Sequence, residues 1–155
     1  DIFHLGLKKP QLARLAAELG SDTAYFVYND AELCTGRGEI MSPIAVELAG
    51  RWLVVVKPDE GVSTAEAYRG VKPAMPERGL RELLAEPIEC WQEGVKNDFE
   101  PHIFEAHPRI RAIKESLLAC GALYASMSGS GSAVFGIFAE RPNFTTEDFV
   151  HIEQL

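Results

Sequence analysis

Two apolar runs, Ala122 to Met127 and Ala133 to Phe138, are separated only by Ser128-Gly129-Ser130-Gly131-Ser132. Apolar runs of this length bounded by turn residues read as strands. The pattern therefore predicts two strands joined by a glycine–serine loop. Glycines let successive backbone N–H groups turn toward one point, and such nests bind phosphate oxygens. The same residues also make ordinary hairpin loops, so the loop alone leaves both readings open.

The rest of the chain supplies partners for these strands. Pro10 suits a first helical turn, Leu12, Leu15, Ala16 and Leu19 recur on one face, and Gly20 supplies a stop. Thr23 to Tyr28 is apolar and aromatic on both faces and reads as a buried strand. Asn29-Asp30 is a turn signal, with a second strand folding back through Leu33, a loop at Thr35-Gly36-Arg37-Gly38 and a third strand from Glu39 to Met41. Arg51 to Lys57, with Trp52, Leu53 and consecutive valines, has the pattern of a central strand. Ser63-Thr64-Ala65-Glu66 is a capping-box sequence, in which the serine hydroxyl accepts from the first turn and Glu66 reaches back; it opens a helix carrying Ala67 and Tyr68. Pro73 and Pro76 mark a loop, and helical stretches follow at Gly79–Glu86 and Ile88–Val95. Asp98 is placed to cap another helix through Glu105. Pro108 opens the next, with Ile110, Ile113 and Leu117 on one face and Gly121 at its end. Phe149 to Ile152 reads as a last strand. Strands and helices mix without strict βαβ alternation, so the expected class is α+β, a mostly antiparallel sheet with helices packed on it.

Composition narrows the partners. The 155 residues fit one domain, or one domain and a piece of another, and at 46% hydrophobic and 25% charged they have the balance of a soluble globular protein. No apolar run approaches the roughly 18 residues that span a bilayer, so no membrane association is expected. Asp1-Ile2-Phe3-His4 has no basic segment of a signal peptide and no initiator Met, which reads as a chain whose natural start lies further upstream. A net charge of −8 without a Lys/Arg cluster argues against a nucleic-acid partner. Cys34, Cys90 and Cys120 form no CxxC pair and read as reduced, buried thiols of a cytoplasmic protein; the histidines are also scattered, so no metal site is expected.

Several residues are candidates for chemistry. Asp22 stands between a helix stop and an apolar run, where a carboxylate can face a cleft or satisfy turn amides. Thr64 and Tyr68 share one helix face and could hold a flat base or sugar, unless Tyr68 is a core aromatic. Asn97-Asp98 reads as a helix cap. Arg37, between Gly36 and Gly38, could reach an anion.

The order of these segments is more informative than any one of them. Leu-Gly-Ser-Asp at 19–22, Gly-Arg-Gly-Glu at 36–39, Pro-Asp-Glu-Gly-Val-Ser-Thr-Ala-Glu-Ala-Tyr at 58–68, Lys-Asn-Asp-Phe-Glu at 96–100 and Met-Ser-Gly-Ser-Gly-Ser-Ala-Val-Phe-Gly at 127–136 follow one another in register. Together they resemble the 4-diphosphocytidyl-2-C-methyl-D-erythritol kinase family of the galactokinase–homoserine kinase–mevalonate kinase superfamily, from about the first helix to the last strand. The resemblance implies transfer of the γ-phosphoryl group of ATP, bound with Mg²⁺, to a hydroxyl of a cytidine diphosphate sugar-alcohol. It implies that residues 1–50 are the remainder of an N-terminal ATP-binding domain and residues 51–155 a C-terminal substrate-binding domain. Asp22 would be the catalytic acidic residue, Thr64 and Tyr68 would line the cytidine pocket with Gly36, Arg37 and Gly38 beside it, and Ser128, Gly129, Ser130, Gly131 and Ser132 would close on the phosphates. The family's ATP-binding glycine loop and catalytic lysine have no counterpart in this sequence, so the missing N-terminal half is an expected partner and the chain alone is expected to be inactive. Ala24 stands where the family often has proline, and the stretch from Phe138 to Phe149 is short for the helix commonly found there. Another kinase of the superfamily, or a non-catalytic α+β ligand-binding module, are the alternative readings.

Overall fold

Pro10 lies in the first turn of α1 (Lys9–Leu19), and the helix stops at Gly20, as the residue order predicts. The computed structural model describes residues 6–20 and 22–155, and the chain divides between Val46 and Glu47 into two units. In the first, Thr23 to Tyr28 is not the expected strand. It forms a turn leading into the short helix α2 (Tyr25–Tyr28), closed by Asn29 in the left-handed conformation with its N–H on the Tyr25 carbonyl. A short apolar run has no period that separates strand from helix. Here Asn29, at φ +54, decides it, because asparagine tolerates the left-handed geometry that ends a helical turn. The antiparallel hairpin β1 (Glu32–Thr35) and β2 (Ile40–Pro43) follows, with Cys34 opposite Met41. The apolar face of α1 is formed but uncovered within this unit: only Ala13 of the helix is buried, and Leu19 is 87% exposed.

The second unit closes a core of its own. Its central strand is the valine run, β3 (Trp52–Lys57), with Val54 and Val56 fully buried. α3 (Thr64–Gly70) follows, then the short helices α4 (Leu80–Leu84) and α5 (Trp91–Gly94), the latter preceded by a 3₁₀ turn at Ile88–Cys90. α6 (Glu100–Ala106) and α7 (Pro108–Ala119) lead into β4 (Tyr124–Met127), β5 (Val134–Phe138) and β6 (Phe149–Gln154). The sheet order is β4-β5-β3-β6, antiparallel throughout, with Val54 opposite Gly136 on one side and Ile152 on the other. Residues 139–148 connect β5 to β6 without a helix. Cys34, Cys90 and Cys120 are free thiols, but exposed rather than buried as expected: Cys34 lies in the two-stranded hairpin, Cys90 ends the 3₁₀ turn and Cys120 follows the last residue of α7.

Helix periodicity explains the packing. Ile110, Ile113 and Leu117 of α7 are buried against the sheet together with Ala67 of α3 and Ile103 and Phe104 of α6. α7 comes close because β5 carries Gly136, where an added Cβ would lie 3.4 Å from the Leu117 Cβ and 3.3 Å from that of Ala122. At the other edge, Gln92 of α5 accepts the Ala125 N–H (2.9 Å), blunting the open strand β4. The core therefore depends on a few large aliphatic side chains. Leu117→Ala, at a fully buried position, is expected to cost about 2–5 kcal/mol, read as a lower midpoint in denaturant unfolding of the 155-residue chain.

Candidate functional site

β4 and β5 meet at the glycine–serine loop. Ser128 N–H donates to the Ala133 carbonyl (2.8 Å) and Gly131 N–H to that of Ser128 (2.9 Å), which closes the turn. Gly131 takes φ +89, and a Cβ there would stand 2.7 Å from the Met127 sulfur, so glycine alone fits without displacement. Of the five residues expected to meet a phosphate, two have thus committed their amides to the turn. The buried Ser132 commits its hydroxyl too, donating to the Glu60 carbonyl. The amides of Gly129, Ser130 and Ser132 have no acceptor among the described residues; Ser132 is buried, which leaves Gly129 and Ser130 as the loop's accessible donors.

Beneath the loop lies a brace that the sequence reading missed. The carboxamide oxygen of Asn97 accepts the Phe99 N–H (2.9 Å), an Asx turn that leads into α6, whose first turn has no side-chain cap; the cap expected from Asp98 is not formed. Its nitrogen donates to the carbonyls of Met127 and Gly129, each at 2.8 Å. Glu100, only 8% exposed, accepts from Met127 N–H (2.8 Å) and the Ser126 hydroxyl (3.1 Å), while its other oxygen pairs with Lys114 at 2.5 Å. The Lys-Asn-Asp-Phe-Glu segment thus grips both backbone groups of Met127 at the strand's exit into the loop.

Thr64 and Tyr68 lie on α3 as predicted, one turn apart and exposed. Tyr68 is not a core aromatic: it is 66% exposed and meets Phe99 edge-on, with ring centroids 5.0 Å apart. Ser63 caps the helix through the Glu66 N–H (3.1 Å). The reciprocal half of the capping box is not made, because the Glu66 carboxylate is drawn to His107 Nε2 at 2.8 Å. The other ring nitrogen of His107 meets Glu60 at 2.5 Å. Hydrogen bonds to Glu60 and then Glu66 push the imidazole above its ordinary pKa, and the bond to His107 draws Glu66 below the usual carboxylate range. Two series of contacts therefore run from α3 to the loop: Tyr68 to Phe99 to Asn97 to Gly129, and Glu66 to His107 to Glu60 to Ser132.

Asp22 and Gly36-Arg37-Gly38 belong to the first unit. Asp22 is exposed in the turn after α1. The turn is held by Thr23, whose hydroxyl donates to the Gly20 carbonyl (2.8 Å) and to that of Ala16. The Asp22 carboxylate makes no hydrogen bond or ion pair among the described residues, so it is spare for other work. Gly36, Arg37 and Gly38 form the tip of the β1–β2 hairpin, with both glycines at positive φ. The Glu39 carboxylate folds into this tip and takes the Arg37 N–H at 2.6 Å. Backbone donors of Glu39 itself and of Arg37 hold it below the usual carboxylate range.

Known proteins show the same arrangement of sequence and fold. The family described as GHMP kinases C terminal matches residues 78–147, which include the braced loop. A 4-diphosphocytidyl-2-C-methyl-D-erythritol kinase of Bacteroides fragilis is 43% identical over 147 residues, covering 95% of this chain and 54% of the relative. One of the same name from Cytophaga hutchinsonii is 38% identical over 154 residues, covering 99% of this chain and 57% of the relative. A crystal structure of 4-(cytidine 5'-diphospho)-2C-methyl-D-erythritol kinase matches with a TM-score of 0.65 and 31% identity, over 81% of this chain and 47% of that one. Homoserine kinase from Cytophaga hutchinsonii matches with a TM-score of 0.69 at 15% identity, over 99% of this chain and 60% of that one, a likeness of fold. The chain spans about half the length of the curated relatives it matches. Residues 78–147 thus belong to the GHMP kinase C-terminal family, and the second unit carries the fold of that domain.

Proposed function

We propose that this chain is the substrate-carrying half of an ATP-dependent kinase that phosphorylates a hydroxyl of 4-diphosphocytidyl-2-C-methyl-D-erythritol. The observation that carries the reading is 43% identity along 95% of the chain with a protein of that name. In this reading residues 1–50 complete an ATP-binding domain and residues 51–155 bind the substrate. The nucleotide's glycine loop and the lysine beside Asp22 come from the N-terminal half of such a kinase. ATP arrives as its Mg²⁺ complex, the metal travelling with the phosphates.

The geometry of the second unit supports this assignment. Tyr68 leaves ring surface open beside Thr64, a platform on which cytosine can stack. The Gly129 and Ser130 amides are donors already aimed by their anchored loop, so they can hold phosphate oxygens without reorganising. Phosphoryl transfer passes through a charge-spread transition state in which positioning and electrostatics dominate. Asp22 either takes the proton of the acceptor hydroxyl or orients that hydroxyl.

Three substitutions test these roles. Stacking on an aromatic is worth about 1–3 kcal/mol, so Tyr68→Ala is expected to weaken CDP binding about 5- to 150-fold, measured by calorimetry. Because Tyr68 is mostly exposed, the melting temperature should hardly change; a large fall would return Tyr68 to a packing role. Asn97→Asp keeps the oxygen that takes the Phe99 N–H but sets a carboxylate against two carbonyls. An Asx turn alone would tolerate it, whereas a displaced phosphate loop is expected to lose about 10- to 100-fold in turnover of the two-half kinase. Asp22→Asn removes charge and basicity but not size. Turnover should drop by about 10² to 10⁴ with unfolding unchanged, and near-normal turnover would remove Asp22 from the mechanism.

A further inference from the structure

We propose that His107 is a positioning residue that couples the two parts of the ligand surface, tying the α3 helix that presents Thr64 and Tyr68 to the glycine–serine loop. The coupling rests on the kinase reading above only in what the surface binds; the linkage itself is a matter of geometry. His107 sits at the junction of α6 and α7, its N–H on the Ile103 carbonyl (2.7 Å) and its carbonyl taking the Ile110 N–H (3.1 Å). Its backbone is therefore fixed by two helices whose Ile103 and Ile110 are fully buried. From this point the ring reaches two separate segments. Nδ1 meets Glu60 at 2.5 Å and Nε2 meets Glu66 at 2.8 Å. Glu66 stands in the first turn of α3, and the carbonyl of Glu60 receives the Ser132 hydroxyl at the end of the loop.

An ionised carboxylate only accepts hydrogen bonds, so both contacts are made together only when both ring nitrogens carry protons. A neutral ring donates to one carboxylate and turns a lone pair on the other. Deprotonation therefore releases one side of the bridge and separates α3 from the loop segment. The groups around the ring favour the charged form. Glu60 faces it from the loop after β3 and Glu66 from α3. Of the cations on these segments, Arg69 acts on Glu66 itself, Lys57 donates to the carbonyls of Pro58 and Glu60, and Arg109 pairs with Asp148.

The sign follows from the two shifts. The pKa of His107 is raised by its bonds to the carboxylates, so the bridge is fully present below the ordinary histidine value and is lost as pH rises through the raised one. Glu66 is lowered by its bond to His107, so the same bridge is present above the ordinary carboxylate value and fails as pH falls through the lowered one. The bridge is thus intact between these limits.

The test is a pH titration of the 155-residue chain followed by NMR, with the His107 ring and the amides of Thr64 and Ser132 as probes. Both amides are expected to shift with the midpoint of the ring, and both shifts should vanish in His107→Gln. Glu60→Gln, which leaves the Glu60 carbonyl in place, provides a second variant. It should lower the ring's midpoint and abolish the Ser132 response while sparing that of Thr64. A ring that titrates with neither amide following, or amide shifts that persist in His107→Gln, would overturn the coupling. A parallel CDP titration should show affinity falling at least about five-fold across the His107 midpoint in the wild type, with the difference from His107→Gln cancelling CDP's own titration. If CDP fails to bind at every pH while the amides still move together, the substrate reading fails and the coupling stands. If CDP binds with a pH profile identical in both proteins, the coupling has no bearing on the ligand surface and the proposal is rejected.

Discussion

Glu100 is the hinge on which the second unit turns. It is a buried carboxylate that holds Met127 N–H and the Ser126 hydroxyl of β4 and is neutralised by Lys114 of α7. Burying such a group is expensive unless every contact is made, and removing one partner of a buried pair typically costs about 3–5 kcal/mol. That cost fixes geometry. α6, α7 and β4 can meet in only the arrangement that satisfies the carboxylate, and β4 delivers the chain into the loop at the same point. The strand's exit is thereby specified by a polar contact, while the aliphatic core beneath supplies the driving force.

From that fixed exit the loop is held at both ends. Asn97 fastens Met127 and Gly129, and Glu60 fastens Ser132. What lies between is short, keeps two amides unused, and needs glycine at 131 because the Met127 sulfur occupies the place of a side chain. A site that stabilises developing charge gains most when its donors are set before the reaction begins. The arrangement also explains why polar residues cluster here: Asn97, Glu100 and Glu60 each hold a group of the chain at or next to the loop.

Much of this fold was legible because local periodicity and final packing agree. The spacing of Ile110, Ile113 and Leu117 announced α7, and the valine run announced β3, since the same side chains that set the pattern form the core. Thr23 to Tyr28 was misread because an apolar run without alternation carries no period, and one left-handed Asn29 settled its form. The capping box at Ser63 was half right for a different reason. Glu66 had a stronger partner 41 residues away, which no local pattern records. The same holds for Glu60 with His107, 47 residues apart, and for Asn97 with Gly129, 32 apart. Asn97 and Glu100 stood in a motif that pointed to the family, but their work as braces appears only once β4 is laid beside α6.

The first unit presents the opposite case, a local structure that is formed without being covered. Among its described residues only Ala13 and Ala24 are buried apolar side chains, whereas Leu19 is 87% exposed and Phe26 73%. One carboxylate oxygen of Glu32 is buried with no hydrogen-bond partner among the described residues, a state that costs free energy wherever it persists. Two small alanines remove little area from water, and at roughly 25 cal/mol per Å² they cannot fix a helix and a hairpin firmly. A catalytic carboxylate must be held to within about 0.5 Å of its working position. Asp22 is carried by the turn after α1, so its placement to that tolerance needs the leucine face of α1 to be covered by more than this unit packs against itself. Positioning of the proposed proton acceptor and burial of that apolar face are therefore one requirement.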